Sequence, residues 1–86
     1  MIAYTIIWQP AAVAGWIRVR TRDPLLAKGV RDAVTALSDE PYPNDSAELG
    51  SRHLRRIRLD GVRILYRVDD ADLAVEVLVV GQVPAA

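Results

Sequence analysis

The chain has no cysteine and one histidine, His53. The missing thiols exclude a disulfide framework, a thiolate metal site and thiol catalysis together. A lone histidine is too few imidazoles for a protein-built zinc site, and no metal-ligand spacing occurs elsewhere. A phosphate-binding glycine loop and a Ser-His-Asp arrangement are absent as well. So are internal repeats and low-complexity tracts. No apolar run approaches the roughly 20 residues that span a bilayer. Met1 to Trp8 lacks the basic flank and small-residue cleavage site of a signal peptide, so the expected location is cytoplasmic, with no membrane partner. Net charge is missing too: eleven Lys plus Arg balance eleven Asp plus Glu. That balance argues against a general nucleic-acid binder, and the distribution of the charge qualifies it.

What remains is 86 residues, 51% of them hydrophobic and 26% charged. This is enough apolar surface for one globular domain, 1–86, and too little chain for a second core. Ile2 to Trp8 is rich in β-branched and aromatic residues and stops before Pro10, as a first strand does. From Pro10 to about Arg20, Val13, Trp16, Ile17 and the stem of Arg20 recur at helical spacing. Asp23-Pro24 then gives an N-cap followed by proline at the first helical position. Behind it Leu25, Leu26, Val30, Ala33, Val34 and Leu37 form the apolar stripe of a second helix up to Ser38. Asp39 to Gly50, with two prolines and Asn-Asp-Ser, reads as a surface loop.

Leu54–Leu59 and Val62–Val68 alternate around Asp60-Gly61, a type I′ hairpin signal, and Leu73–Val80 is a closing strand after a turn at Asp69–Asp72. The expected fold is α+β with the order β-α-α-β-β-β. It has a small single antiparallel-type sheet with two N-terminal helices packed on one face.

The hairpin concentrates charge. Between Arg52 and Arg67 lie Arg52, Arg55, Arg56, Arg58, Arg63 and Arg67 against a single acid, Asp60. A two-residue turn pairs Leu59 with Val62, Arg58 with Arg63, Ile57 with Ile64 and Arg56 with Leu65. Ile57, Leu59, Val62, Ile64 and Tyr66 then share the core face, and Arg56, Arg58, Arg63 and Arg67 share the other. Directly opposed like charges are unfavourable, which invites a functional reading. Guanidinium forks fit phosphate bidentately and stack on bases. Beside them, His53 is a candidate acid or base near neutral pH, and Glu48 a candidate base if its loop folds over the sheet. Trp8 and Trp16 are expected in the core. Tyr42 is either a loop anchor or a base-stacking side chain.

The segment LRRIRLDGVRILYRVDD, Leu54 to Asp70, resembles the central hairpin of the RelE/ParE superfamily of type II toxin–antitoxin toxins. ALSDEPYPNDSAELGS, Ala36 to Ser51, is similar to that family's linker, and VLVVG, Val77 to Gly81, to its closing strand. RelE-type members cut mRNA in the ribosomal decoding site, whereas ParE-type members poison DNA gyrase. The resemblance implies catalytic roles for Arg56, Arg58 and Arg63, with His53 and Glu48 as further candidates and Arg55 and Arg67 as RNA or phosphate contacts. It implies a cognate antitoxin as partner, mRNA and the ribosome as target, operator DNA only through the antitoxin complex, and no cofactor. Many relatives carry a basic residue after the closing Val-Gly and some a tyrosine beyond it; here Gln82, Val83 and Pro84 follow. The alternatives are a ParE-like gyrase inhibitor and a catalytically impaired toxin that binds antitoxin and operator.

Overall fold

The computed structural model describes residues 3–82. In chain order the elements are β1 (Thr5–Trp8), α1 (Pro10–Arg22), α2 (Pro24–Ala36), β2 (Ser46–Ser51), β3 (Leu54–Leu59), β4 (Val62–Asp69) and β5 (Ala74–Gln82). One sheet holds all the strands in the order β1-β5-β4-β3-β2. The α+β expectation holds, with two corrections.

The first concerns Asp39–Gly50, expected to be loop throughout. Its end forms β2, an edge strand that pairs Ser46 with Ile57, Ala47 with Arg56 and Glu48 with Arg55 before its register slips. The order is therefore β-α-α-β-β-β-β. Ser46–Ser51 is SAELGS, which offers almost no apolar alternation; it becomes a strand because β3 presents a free edge to it. The second concerns direction. β1 runs parallel to β5, with Thr5 beside Ala74 and Trp8 beside Val77, so the sheet is mixed. Parallel neighbours need a long crossover, and the two helices with the following hairpins supply it. β1 begins at Thr5; Met1 and Ile2 lie outside the described residues.

The hairpin register is the one that its turn dictates. Asp60 and Gly61 both take positive φ, 47° and 81°, as a type I′ turn requires. Leu59–Val62, Arg58–Arg63, Ile57–Ile64 and Arg56–Leu65 face each other. Along β4, Val62, Ile64, Tyr66 and Val68 are buried while the residues between them face outward. The buried set packs with Val30, Val34 and Leu37 of the α2 segment and Ala12 and Val19 of α1, so both helices cover one sheet face and leave the other bare. Tyr66 reaches through this core to donate a 2.9 Å hydrogen bond to the Pro41 carbonyl.

Pro24 opens α2 as expected, and the Asp23 carboxylate accepts from the Leu26 amide at 3.1 Å. Leu25, assigned to the stripe, is 78% exposed. α1 is turned further from expectation. It buries Ala12, Gly15 and Val19, while Val13 and Ile17 stay outside. Gly15 sets this phase: a Cβ there would stand 1.8 Å from the Val80 carbonyl oxygen, so the helix backbone lies directly on β5. Trp8 and Trp16 are partly buried around the core, and the Trp16 indole ties the helices together by donating to the Ala27 carbonyl at 2.8 Å. No described helix is long and apolar enough to cross a membrane.

Candidate nucleic-acid interface

The bare face of the sheet is organised in rows across the strands. In one row Arg58 on β3 faces Arg63 on β4, which faces Gly81 on β5. In the next, Ala47, Arg56, Leu65 and Val79 align from β2 to β5. In the third, Leu54, Arg67, Glu76 and Ile7 align from β3 to β1. Alternation along each strand thus brings Arg56, Arg58, Arg63 and Arg67 to one side, as the sequence implies.

These arginines differ in what they touch. Arg67 bonds Glu76 at 2.9 Å, and Gln9 donates to the other oxygen of the same carboxylate at 2.8 Å. Arg52 stands 3.7 Å from Asp70 and Arg55 3.8 Å from Glu48. Among the described residues no carboxylate pairs with Arg56, Arg58 or Arg63. Arg56 also keeps a buried Nε that has no hydrogen-bond partner. A buried donor of this kind costs stability until an acceptor arrives. Arg58 and Arg63 therefore present exposed guanidinium groups free of carboxylates among the described residues, with the half-buried Arg56 beside them, a geometry suited to phosphate oxygens.

The other candidates fall elsewhere. Arg55 pairs in register with Tyr66 and so points to the helix side. Its side chain is 11% exposed, and it donates to the Ser46 hydroxyl at 2.8 Å and to the carbonyls of Arg52 and Ser46. Those bonds make it a clamp between β2 and β3. Glu48 lies opposite Arg55 and shares that side, away from the arginine face.

His53 joins a polar knot beside the first residue of β3. Tyr42 donates to Asp70 Oδ2 at 2.8 Å, Tyr4 donates to Asp70 Oδ1 at 2.7 Å, and His53 Nδ1 lies 2.9 Å from the Tyr42 oxygen. With the Tyr42 proton committed to Asp70, His53 Nδ1 carries the bridging hydrogen and Nε2 is the open nitrogen. Arg52 stacks 4.4 Å from the Tyr42 ring centre and Arg55 5.3 Å from it. Tyr42 is thus an anchor for its loop.

The knot shifts its own titrations. Hydrogen bonds from Tyr4 and then Tyr42 hold the Asp70 carboxyl below its ordinary value. Burial first, then the bond to Asp70, pushes Tyr42 up to about 12. The bond to Asp70 raises Tyr4 as well. Asp70 and Tyr4 had no signal in the sequence, since they stand 66 residues apart. Among the described residues no cluster of histidine and carboxylate side chains could hold a metal.

Residues 6–82 match the family model described as the ParE toxin of the type II toxin–antitoxin system, parDE. The chain belongs to this family. It is a RelE-like type II toxin, and solved structures of such toxins share its fold. Against the RelBE2 toxin–antitoxin complex from Mycobacterium tuberculosis the TM-score is 0.79 at 25% identity, covering 95% of this chain and 93% of that one. Against the isolated RelE toxin of E. coli it is 0.83 at 20% identity, covering 98% and 88%. Against the intact E. coli RelBE toxin–antitoxin complex it is 0.81 at 20% identity, covering 96% and 100%. No curated protein matches the sequence. Within this toxin fold, the bare sheet face carries the unpaired arginines and the helix-covered face carries the clamps.

Proposed function

We propose that this toxin is an endoribonuclease that cuts mRNA on the translating ribosome and thereby stops translation. The observation that carries the reading is the division among the hairpin arginines. Arg52, Arg55 and Arg67 are neutralised by acids, while Arg56, Arg58 and Arg63 stand unpaired among the described residues on the bare face. Opposed guanidinium groups at the phosphodiester stabilise the charge that develops when the RNA's own 2′-oxygen attacks the adjacent phosphorus. The P–O5′ bond breaks, leaving a 2′,3′-cyclic phosphate on one fragment and a hydroxyl on the other. Arg58 and Arg63 hold the scissile phosphate in this scheme. Arg56, on the same face, adds its positive charge beside the departing 5′-oxygen, which takes up a proton as it leaves.

Arginine stays protonated at neutral pH and is a poor general base. Glu48 lies on the other side of the sheet, while His53 lines a shallow cavity with Arg67, so the 2′-proton passes to His53 or to a group of the ribosome. In this scheme the nucleophile is the RNA's own 2′-hydroxyl and the arginines supply the positive charge. The partner that restrains the toxin is a cognate antitoxin, as in the RelBE and RelBE2 complexes. An acidic segment folding over the bare face would neutralise the same arginines. Operator DNA is met only by the antitoxin complex, and the whole chain, 1–86, acts as one cytoplasmic domain.

Induced expression without antitoxin, with mRNA 5′ ends mapped on translating ribosomes, tests the reading. Cuts that vanish in a folded Arg56→Ala, Arg58→Ala, Arg63→Ala variant support it. Arrest that persists unchanged in that variant refutes the site.

The matched family model favours a second reading, a gyrase inhibitor of the ParE type. Its mark is DNA cleavage complexes that accumulate while mRNA stays intact. A chain that arrests nothing yet binds antitoxin and operator is the impaired toxin.

A further inference from the structure

Gly81 occupies β5 directly opposite Arg63, which itself faces Arg58. Glycine weakens a strand, because it adds backbone entropy to the unfolded chain and offers no side chain to pack. The fold gives no return for it here. Its backbone is not left-handed; the positive-φ glycines are Gly50 and Gly61. A Cβ placed on it would meet nothing within 4 Å among the described residues. The irregularity of the β4–β5 ladder falls between Leu65 and Tyr66, away from Gly81. Gly15 shows the contrast, since the Val80 carbonyl forbids any side chain there. On its other side Gly81 borders a shallow cavity with Gly15 and Val19 of α1, and no described atom comes near its Cβ position; a strand glycine of this kind also marks a place where a ligand approaches the backbone closely.

We infer that Gly81 is a positioning residue for RNA: with Arg58 and Arg63 it forms a side-chain-free step on which the sugar–phosphate backbone of a single strand lies flat against the sheet. This rests on the ribonuclease reading above and deepens it. Unpaired arginines in the same row supply the charge complementarity. The next row supplies the seat for the adjoining base. Leu65 is half-buried and Val79 is 39% exposed, side by side, forming an apolar ledge beside the phosphate site. An open sheet face takes bases that are splayed out of a helix, so the substrate at this step is unpaired RNA. Any side chain at position 81 would stand in the arginine row and lift the phosphate away from both forks.

The test uses the purified full chain and its Gly81→Val and Gly81→Ala variants beside the triple-arginine variant. The probes are a labelled single-stranded oligoribonucleotide and the matching oligodeoxyribonucleotide, followed by cleavage on translating ribosomes. Gly81→Val is expected to melt at or above the parent temperature, because a β-branched residue suits a strand. It is expected to bind the oligoribonucleotide about tenfold more weakly, a loss equal to about 1.4 kcal/mol. Cleavage should fall on the order of 10²-fold, as a phosphate held about 1 Å off its site does. If Gly81→Val does not fold, Gly81→Ala carries the same comparison. Parent-like binding and cleavage in a folded Gly81 variant, beside an arginine variant that has lost both, overturns this inference alone. A parent chain that neither binds nor cuts RNA any better than the arginine variant overturns the functional reading and this inference with it. Equal loss on both probes overturns the assignment to RNA.

Discussion

Arg58 and Arg63 stand directly opposite each other across the β3–β4 ladder, both exposed on the sheet face that the helices leave bare. Neither has a carboxylate partner among the described residues, although the neighbouring Arg67 is relieved by Glu76 at 2.9 Å. Like charges placed this way oppose folding by a few tenths to about 1 kcal/mol. The same ladder neutralises one arginine and leaves two facing each other, and it is this pair that the proposed function assigns to RNA.

That cost makes a prediction with an unusual sign. Arg58→Thr removes the repulsion and places a β-former in the strand, so the variant should be more stable by about 0.2–1 kcal/mol. The urea midpoint should rise with an unchanged m-value. Toxicity should fall in the same variant. A loss of stability would show that the guanidinium group supports the fold.

Gly15 and Gly81 should respond oppositely to the same change. Gly15→Ala drives a methyl group into the Val80 carbonyl oxygen, 1.8 Å from the position it must take. Backbone cannot turn away as a side chain can, so the expected loss is about 1–3 kcal/mol. Gly81→Ala meets no described atom and should leave the denaturation midpoint where it was or raise it. Equal losses in the two variants would contradict the packing of α1 on β5.

Asp70 predicts a pH dependence. Hydrogen bonds from Tyr4 and Tyr42 hold its carboxyl below the ordinary 3.8, so its contribution is complete above that value and fades as pH falls through the lower folded value. Arg52 and His53 beside it act in the same direction. Tyr42 shows the converse. Pushed up to about 12 from 10.0, it supports the fold fully below its ordinary value and stops doing so as pH rises toward the higher one. Asp70→Asn should therefore be less stable than the parent at neutral pH, with the gap closing in acid below 3.8. Unfolding midpoints of both proteins across that range are the measurement. A gap that does not change with pH would mean that the knot does not depend on the carboxylate charge.

The hairpin was legible because two local signals agree. Asp60-Gly61 fixes the turn and the alternation on either side fixes which residues face inward, so its register and its arginine face follow from sequence alone. β2 was not legible, since Ser46–Ser51 becomes a strand through the edge of β3 and not through a pattern of its own. The phase of α1 was missed for a related reason. Apolar weight points to Val13 and Ile17, but small residues, Ala12 and Gly15, let the helix backbone reach the sheet. At the site, sequence collects the arginines but does not say which are neutralised. Glu48 sits seven positions from Arg55 on the next strand. Asp70 is drawn to Tyr4 and Tyr42 across 66 and 28 residues. Such pairings depend on the closed fold, and they leave Arg56, Arg58 and Arg63 as the ones that remain open.

Glu76 offers a test of how far this division sets RNA affinity. Its carboxylate accepts from Arg67 on one oxygen and from Gln9 on the other, so it occupies the Arg67 guanidinium and subtracts one cation from the face. Glu76→Gln keeps the shape of the side chain and frees that cation. A single strand bound there should gain about one phosphate contact, steepening the slope of log affinity against log salt by about 0.7. Arg67→Ala in the otherwise native chain should leave the slope nearly unchanged, because the group it removes is already committed. In contrast, Arg63→Ala should flatten the slope by about 0.7, since that cation is open to phosphate. Salt titrations of the three variants with one oligoribonucleotide distinguish these outcomes. Equal flattening by Arg67→Ala and Arg63→Ala would show that RNA displaces Glu76 on binding, and the division between paired and open arginines would then not govern recognition.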